Sequence, residues 1–421
     1  MKKYFYLLAT LPLTMAMVAC QSDSEPGQGD ENKTEVVDKT PAKIIQLNKK
    51  ETDLVTAQNN AALKIFNAFL AENQGEEYNM CVSPLSIEMV ISMLANGADA
   101  ETVNRTLDLF EVNNLDELNT FNNRLMTELP QVQPNLAKLS FNNGLWVNTL
   151  YSLTNDFKST LSSTYTVDVF DADFSKNDIR SLINNWVNAK TNGLIPKISD
   201  LPVNSGFPLM MANALYMEAK FDIPFDEKAT EKVDFFNANN EKLGKVKMMS
   251  NCGMYNYTAD QDFDAVKMTY GNNGFEMWAI LPHQGISVSA VADKLSTRGI
   301  DYLAQEAKEG YLSVKLPRFE TGNSYCITDL MESFGLKYNE KTLGGISNSP
   351  QFDFEINHAT HLQMSETGVK AAAVTNNETY WANEPTPVAK FNFDHPFIYV
   401  IREVSTGVVL FTGIYATPTE E

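Results

Sequence analysis

The chain has 421 residues, 43% of them apolar and 20% charged, enough apolar side chain for a large buried core. Its formal net charge of −20 argues against nucleic acid or another polyanion as partner, since those need clustered Lys and Arg. Four cysteines without a CxxC pair, and only four histidines, give no zinc signature, so no metal site is expected.

The N-terminus reads MKKYFYLLATLPLTMAMVAC: two lysines, an apolar stretch, and small Ala19 before Cys20. This is a secretory signal pattern over residues 1–19, too short and too poorly flanked for a transmembrane anchor. Its last four residues resemble a bacterial lipobox, which implies lipidation of Cys20 and a membrane held through that lipid alone. Residues 20–50 are polar, charged and without period, and read as a disordered tether. The acidic run after Cys20 resembles the export signal of Gram-negative surface lipoproteins. An exported outer-membrane or cell-surface protein is therefore expected.

Residues 51–74 place Leu54, Ala62, Ile65, Phe66, Phe69 and Leu70 at helical spacing. A second helix opens at Ser83-Pro84, where Ser can cap and Pro fits the first turn. Helical patterns dominate the first half. In the second half, 311–316 alternates as a half-buried strand. Residues 397–401 and 407–415 flank a short turn and are apolar on both faces, a hairpin buried on both sides. Helices followed by long antiparallel strands give an α+β fold in a domain spanning 51–421. Cys81, Cys252 and Cys326, an odd set, read as small buried hydrophobes. No nucleophile elbow, HExxH, P-loop or GxGxxG occurs, so an enzyme is not expected.

The segment ETGVKAAAVT at 366–375 has helix-forming alanines, and composition alone would make 369–374 a short helix. The following NNETYWANEPTP is polar, broken by Pro, and shows Tyr380 and Trp381 side by side. Such a loop in a compact domain points to recognition.

Several segments together resemble the serpin family. They are NMCVSPLSI at 79–87, NWV at 185–187 with TNGLI at 191–195, NALYMEAKF at 213–221 with Pro224-Phe225, Met248-Met249, and HPF at 395–397. They follow the family's order from about residue 51 to 418. The resemblance implies a serpin fold of three β-sheets, eight or nine helices and an exposed reactive-centre loop. It places Ser83, Ser86, Asn213 and His358 in a polar "shutter" behind the main sheet. It makes Glu366, Gly368, Val369, Ala371, Ala372, Ala373 and Thr375 a hinge that inserts as a strand after cleavage. Phe221 stands where the family usually has Trp, and Ala219 where it has Gly.

A strand alternates its faces. Val369, Ala371, Ala373 and Thr375 would fall on one side, small and uncharged, and the only charge, Lys370, on the other. That composition suits irreversible protease inhibition. The alternative is a non-inhibitory serpin acting as a surface binding protein. Counting Gly368 as the fifteenth residue before the bond gives Ala382–Asn383 as the scissile bond, for an elastase-like protease; a slip of one or two gives Trp381 or Tyr380, for a chymotrypsin-like one. The implied partner is a serine or cysteine endopeptidase, bound covalently 1:1 by a monomer, with no cofactor.

Overall fold

The structure is a computed structural model. It describes residues 38–72, 78–176, 178–198, 206–339, 341–347, 354–369 and 385–419. Cys20, Ala371, Ala372, Ala373, Thr375, Tyr380, Trp381, Ala382 and Asn383 lie outside the described residues.

Nine α-helices occur among the described residues, beginning with α1 (Lys49–Glu72) and α2 (Pro84–Ala95). In chain order the strands are β1 (Met80–Val82), β2 (Ala137–Asn148), β3 (Val167–Ala172), β4 (Leu209–Lys220), β5 (Glu231–Phe236), β6 (Lys242–Ala259), β7 (Phe263–Tyr270), β8 (Phe275–Pro282), β9 (Lys308–Pro317), β10 (Phe319–Cys326), β11 (Phe354–Ser365), β12 (Gly368–Val369), β13 (Ala389–Asn392), β14 (Phe397–Glu403) and β15 (Val409–Tyr415).

One sheet has the order β10-β11-β12-β4-β2-β3. The other strands form two arms that share the 18-residue β6. The start of β6 up to Met248 pairs with β5 and Met248 to Tyr257 with β9, which carries β13; its last residues pair with β7, which leads through β8, β14 and β15 to β1. The architecture thus has three sheets, two of them continuous through one long strand. The β14–β15 hairpin is buried along its whole length, as its two-sided apolar pattern requires.

The central sheet separates two apolar clusters. On one face Ile183 and Val187 of the helix Ile179–Lys190 pack on Trp146, Met210, Ala212, Ala214 and Ala359. On the other face Met211, Leu215, Met217, Ala219, Leu362 and Met364 join the main core with α1 and α2. The α2 terminus forms as expected: Ser83 is extended, and its Oγ accepts from the Ser86 N–H at 3.3 Å. Glu88, one turn further on, is buried with both carboxyl oxygens lacking a hydrogen-bond partner among the described residues, and burial pushes its pKa well above the usual range.

Two expectations are corrected. The tether does not extend to residue 50, because 38–48 is packed chain. Ile45 is buried, its N–H donates to Ser405 Oγ at 2.9 Å, and Thr40 O accepts from Gln133 Nε2 and Asn272 Nδ2 at 2.6 and 2.8 Å. A polar stretch is held by backbone bonds that composition does not register. Among the cysteines, Cys81 is buried, but Cys252 and Cys326 are exposed and free.

Candidate functional site: a polar cluster beneath a parted sheet

The central sheet is not uniformly paired. At one end β11 and β4 run parallel and pair directly, from Phe354 opposite Leu209 to Ala359 opposite Ala214. At the other end they part. The chain leaves β11, turns at Glu366 and Thr367, and returns as β12 between them. Val369 lies opposite Met364 on one side and Ala219 on the other; Gly368 lies opposite Ser365 and Lys220. Between these regions, 360–363 of β11 and 215–218 of β4 pair neither with each other nor with any other described strand between them.

The turn into β12 is tightly held. Glu366 O accepts from Phe225 N–H and Thr367 O from Phe221 N–H, both at 2.8 Å. Arg318 Nη2 donates to both carboxylate oxygens of the buried Glu366, at 2.6 and 2.7 Å, and Thr230 Oγ1 donates to Oε1 at 2.7 Å. Burial pushes the Glu366 pKa up, but the bonds from Arg318 and Thr230 outweigh it and hold the carboxyl below its ordinary value. Gly368 has φ +127°, and a Cβ there would meet Ala219 O at 2.2 Å, so this position requires glycine. Phe221 fills the corner beside it, stacked on Tyr270 at 4.6 Å between ring centroids and edge-on to Phe225 at 5.6 Å.

Below the paired end lies the polar cluster. Strand pairing sets His358 of β11 opposite Asn213 of β4, and Asn143 of β2 opposite Asn213 from the other side. His358 Nδ1–H donates to Asn213 Oδ1 at 3.1 Å, while His358 Nε2 accepts from the Ser83 N–H at 3.2 Å. Ser86 Oγ donates to Asn213 Oδ1 at 2.6 Å, and Asn213 Nδ2 to Asn143 Oδ1 at 2.8 Å. All five residues are buried. Three strands and the start of α2 are thus joined by one chain of bonds. Its members fit only a neutral imidazole, because Nε2 faces a donor.

Burial pushes the His358 pKa down to about 3. An opened or unfolded state would titrate near 6.5 and bind the proton first. The contribution of this group is therefore full above about pH 6.5 and is lost as pH falls toward 3, at about 1.4 kcal/mol per pH unit. His358→Gln keeps one donor and one acceptor but cannot titrate. The thermal midpoint of the wild type is expected to fall more steeply from pH 7 to pH 5 than that of the variant; equal slopes would refute the assignment.

The four shutter residues expected from sequence are thus brought together, and Glu366, Gly368 and Val369 are placed at the parted end of the sheet. Asn143, Arg318 and Thr230 were missed. Nothing local in the sequence marks them, since their partners lie 70, 48 and 136 residues away.

A family model described as "Serpin (serine protease inhibitor)" matches residues 56–418. An uncharacterized serpin-like protein of Thermococcus kodakarensis is 29% identical over 384 residues, covering 88% of this chain and 87% of its own length. A serine protease inhibitor of Cyanea capillata is 28% identical over 377 residues, covering 85% and 96%. The crystal structure of the thermophilic serpin tengpin in its native state aligns with TM-score 0.79 at 25% identity, over 90% of this chain and 97% of that one. The Arabidopsis AtSerpin1 structure, described as the native stressed conformation, aligns with TM-score 0.76 at 23% identity, over 89% and 100%.

Proposed function

The chain belongs to the serpin family, whose members are in general protease inhibitors rather than enzymes, and from that premise we propose that it is an irreversible inhibitor of an elastase-like or chymotrypsin-like serine endopeptidase. The supporting observation is the position of β12. Gly368 and Val369 already occupy the first two positions of a strand between β11 and β4, antiparallel to both.

Continuing that register defines the inserted state. Each residue added to β12 moves one step back along β11 and one step back along β4. Ala371 then stands opposite Leu362 and Met217, Ala373 opposite Thr360 and Leu215, and Thr375 opposite His358 and Asn213. Directly opposed residues share a face, so this set points into the main core, beside Met364 and Ala219 where Val369 is already buried. Lys370 points the other way, opposite Gln363 and Glu218. Beyond Ala373 the incoming strand must break the direct β11–β4 pairs, the first of which is Ala359 with Ala214. His358–Asn213, two strand residues linked side chain to side chain, is therefore the latch that insertion opens.

In the proposed reaction the protease serine attacks the Ala382 carbonyl, or that of Trp381 or Tyr380, the peptide bond breaks, and the amine of the next residue leaves. Insertion then carries the ester-linked enzyme away before water reaches the bond. The product is a covalent 1:1 complex of a monomer, with no cofactor. Export and attachment through a lipid on Cys20 belong to the same proposal, supported by the signal pattern and the lipobox resemblance.

The test mixes the chain from residue 21 onward with elastase and with chymotrypsin, each in slight deficit. A denaturant-resistant band at the summed mass is expected, with a released C-terminal peptide whose first residue fixes the bond. Clean cleavage without that band, across a wider protease panel, would favour a non-inhibitory binding protein.

A further inference from the structure

One cross-strand row of the central sheet carries an ordered pattern of charge. Strand pairing sets Lys138 of β2 opposite Glu218 of β4, and Glu320 of β10 opposite Gln363 of β11. Directly opposed residues share a face. This row lies on the face away from α1 and α2, since the alternating neighbours Met217, Ala219, Leu362 and Met364 fill the main core. Side-chain contacts bear out both halves. Lys138 Nζ lies 3.7 Å from Glu218 Oε2, and Gln363 Nε2 donates to Glu320 Oε2 at 3.2 Å.

The middle of the row is open. Val369 stands opposite Ala219 and Met364, so the next position of β12 falls between Glu218 and Gln363. Among the described residues no strand takes that position. Across the sheet the row runs cation, carboxylate, gap, amide, carboxylate. Glu218 has capacity left for a second cation. Lys138 approaches its Oε2, and Tyr216 OH donates to that same oxygen at 2.8 Å, which leaves Oε1 to take a further donor. Its side chain is 30% exposed, so the approach is open. The occupant that fits is this chain's own Lys370, which lies outside the described residues. It directly follows Val369 and is the only charged residue in 368–377.

We propose that Glu218 is a positioning residue for loop entry: as insertion begins, Lys370 docks between Glu218 and Gln363, and its ammonium group donates to Glu218 Oε1. Glu320, on the far side of Gln363, supplies a second negative charge. This rests on the loop-inserting reading above. The pair sets the register of entry, because a slip of one residue would turn Lys370 into the apolar core.

Charge exchange tests it. Lys370→Glu sets like charge beside Glu218, Glu218→Lys sets it beside Lys370, and the double variant restores the pair reversed. With a protease that the wild type traps, each single variant is expected to raise the ratio of clipped to trapped chain about tenfold, equivalent to ~1.4 kcal/mol. The double variant should return to within about threefold of wild type. A second measurement needs no trapping. Chain clipped within 375–384 is melted beside intact chain, and the rise on clipping should shrink in each single variant and recover in the double. Equal ratios and equal rises in all four proteins, or a double variant as impaired as the worse single one, would overturn the proposal. A wild type that traps no protease, yet shows the exchange pattern on melting, would uphold the role of Glu218 and remove the inhibitory reading alone.

Discussion

Ala373→Arg is expected to convert the protein from an inhibitor into a substrate. In the proposed inserted state, the register continued from Val369 would set residue 373 between Thr360 and Leu215, both buried on the core side of the sheet. A guanidinium placed there has no partner to compensate its lost hydration, at a cost of several kcal/mol. Each ~1.4 kcal/mol slows insertion about tenfold, so ~4 kcal/mol slows it roughly a thousandfold, while hydrolysis of the acyl-enzyme is untouched. The variant should be cleaved at the wild-type rate and leave no denaturant-resistant complex. Lys370→Ala, on the opposite face beside Gln363 and Glu218, should still trap the protease. Stoichiometric complex formation by Ala373→Arg would refute the register and with it the proposed mechanism.

The second large effect is on heat stability. Cleavage anywhere in 375–384 should raise the thermal midpoint by on the order of 10 to 20 °C. Among the described residues, 360–363 and 215–218 have no strand between them, and a short parallel ladder holds the rest of β11 to β4. Insertion replaces this with two antiparallel ladders, the better-paired arrangement. About ten added backbone bonds at ~1 kcal/mol each would contribute ~10 kcal/mol. In a domain of this size each kcal/mol moves the midpoint by roughly 1 to 2 °C, somewhat less than for smaller domains. On the proposed mechanism an uncut loop is held back, because the chain from residue 385 onward is anchored in β13, β14 and β15. The native form is then kinetically held. Melting curves of intact and clipped protein decide it: superposable curves would mean that the cut loop stays outside the sheet.

How much of this was legible beforehand depended on whether the signal was local. Ser83 announces a helix start because its side chain meets a backbone N–H three residues on. The buried hairpin at 397–415 declares itself because residues apolar on both faces admit no exposed side. Composition failed where the decisive partner is remote. The polar stretch 38–48 looks like free tether, yet it is fixed by Val132, Gln133, Asn272 and Ser405. Cys252 and Cys326 look like core residues, yet each falls on the open side of a strand, and only the pairing register decides that. The alanines after Val369 favour a helix by propensity, whereas Gly368 and Val369 are extended, because β11 and β4 offer unpaired edges on both sides.

The sequence by itself determined the fold class, the family and the hinge's small side chains, because these reside in local pattern and ordered motifs. It also supplied the four polar residues of the cluster, though not what they touch. Tertiary structure decided the rest. It joined His358 to Asn213 across a parallel pair, added Asn143 from the neighbouring strand, and set Arg318 on Glu366 at the turn into β12. It also turned Val369 toward the core, through two ladders that meet there. The physical reason is the same in each case. A hydrogen bond between residues 48 to 145 positions apart depends on strand register, and register is fixed only when whole faces of the sheet are buried together.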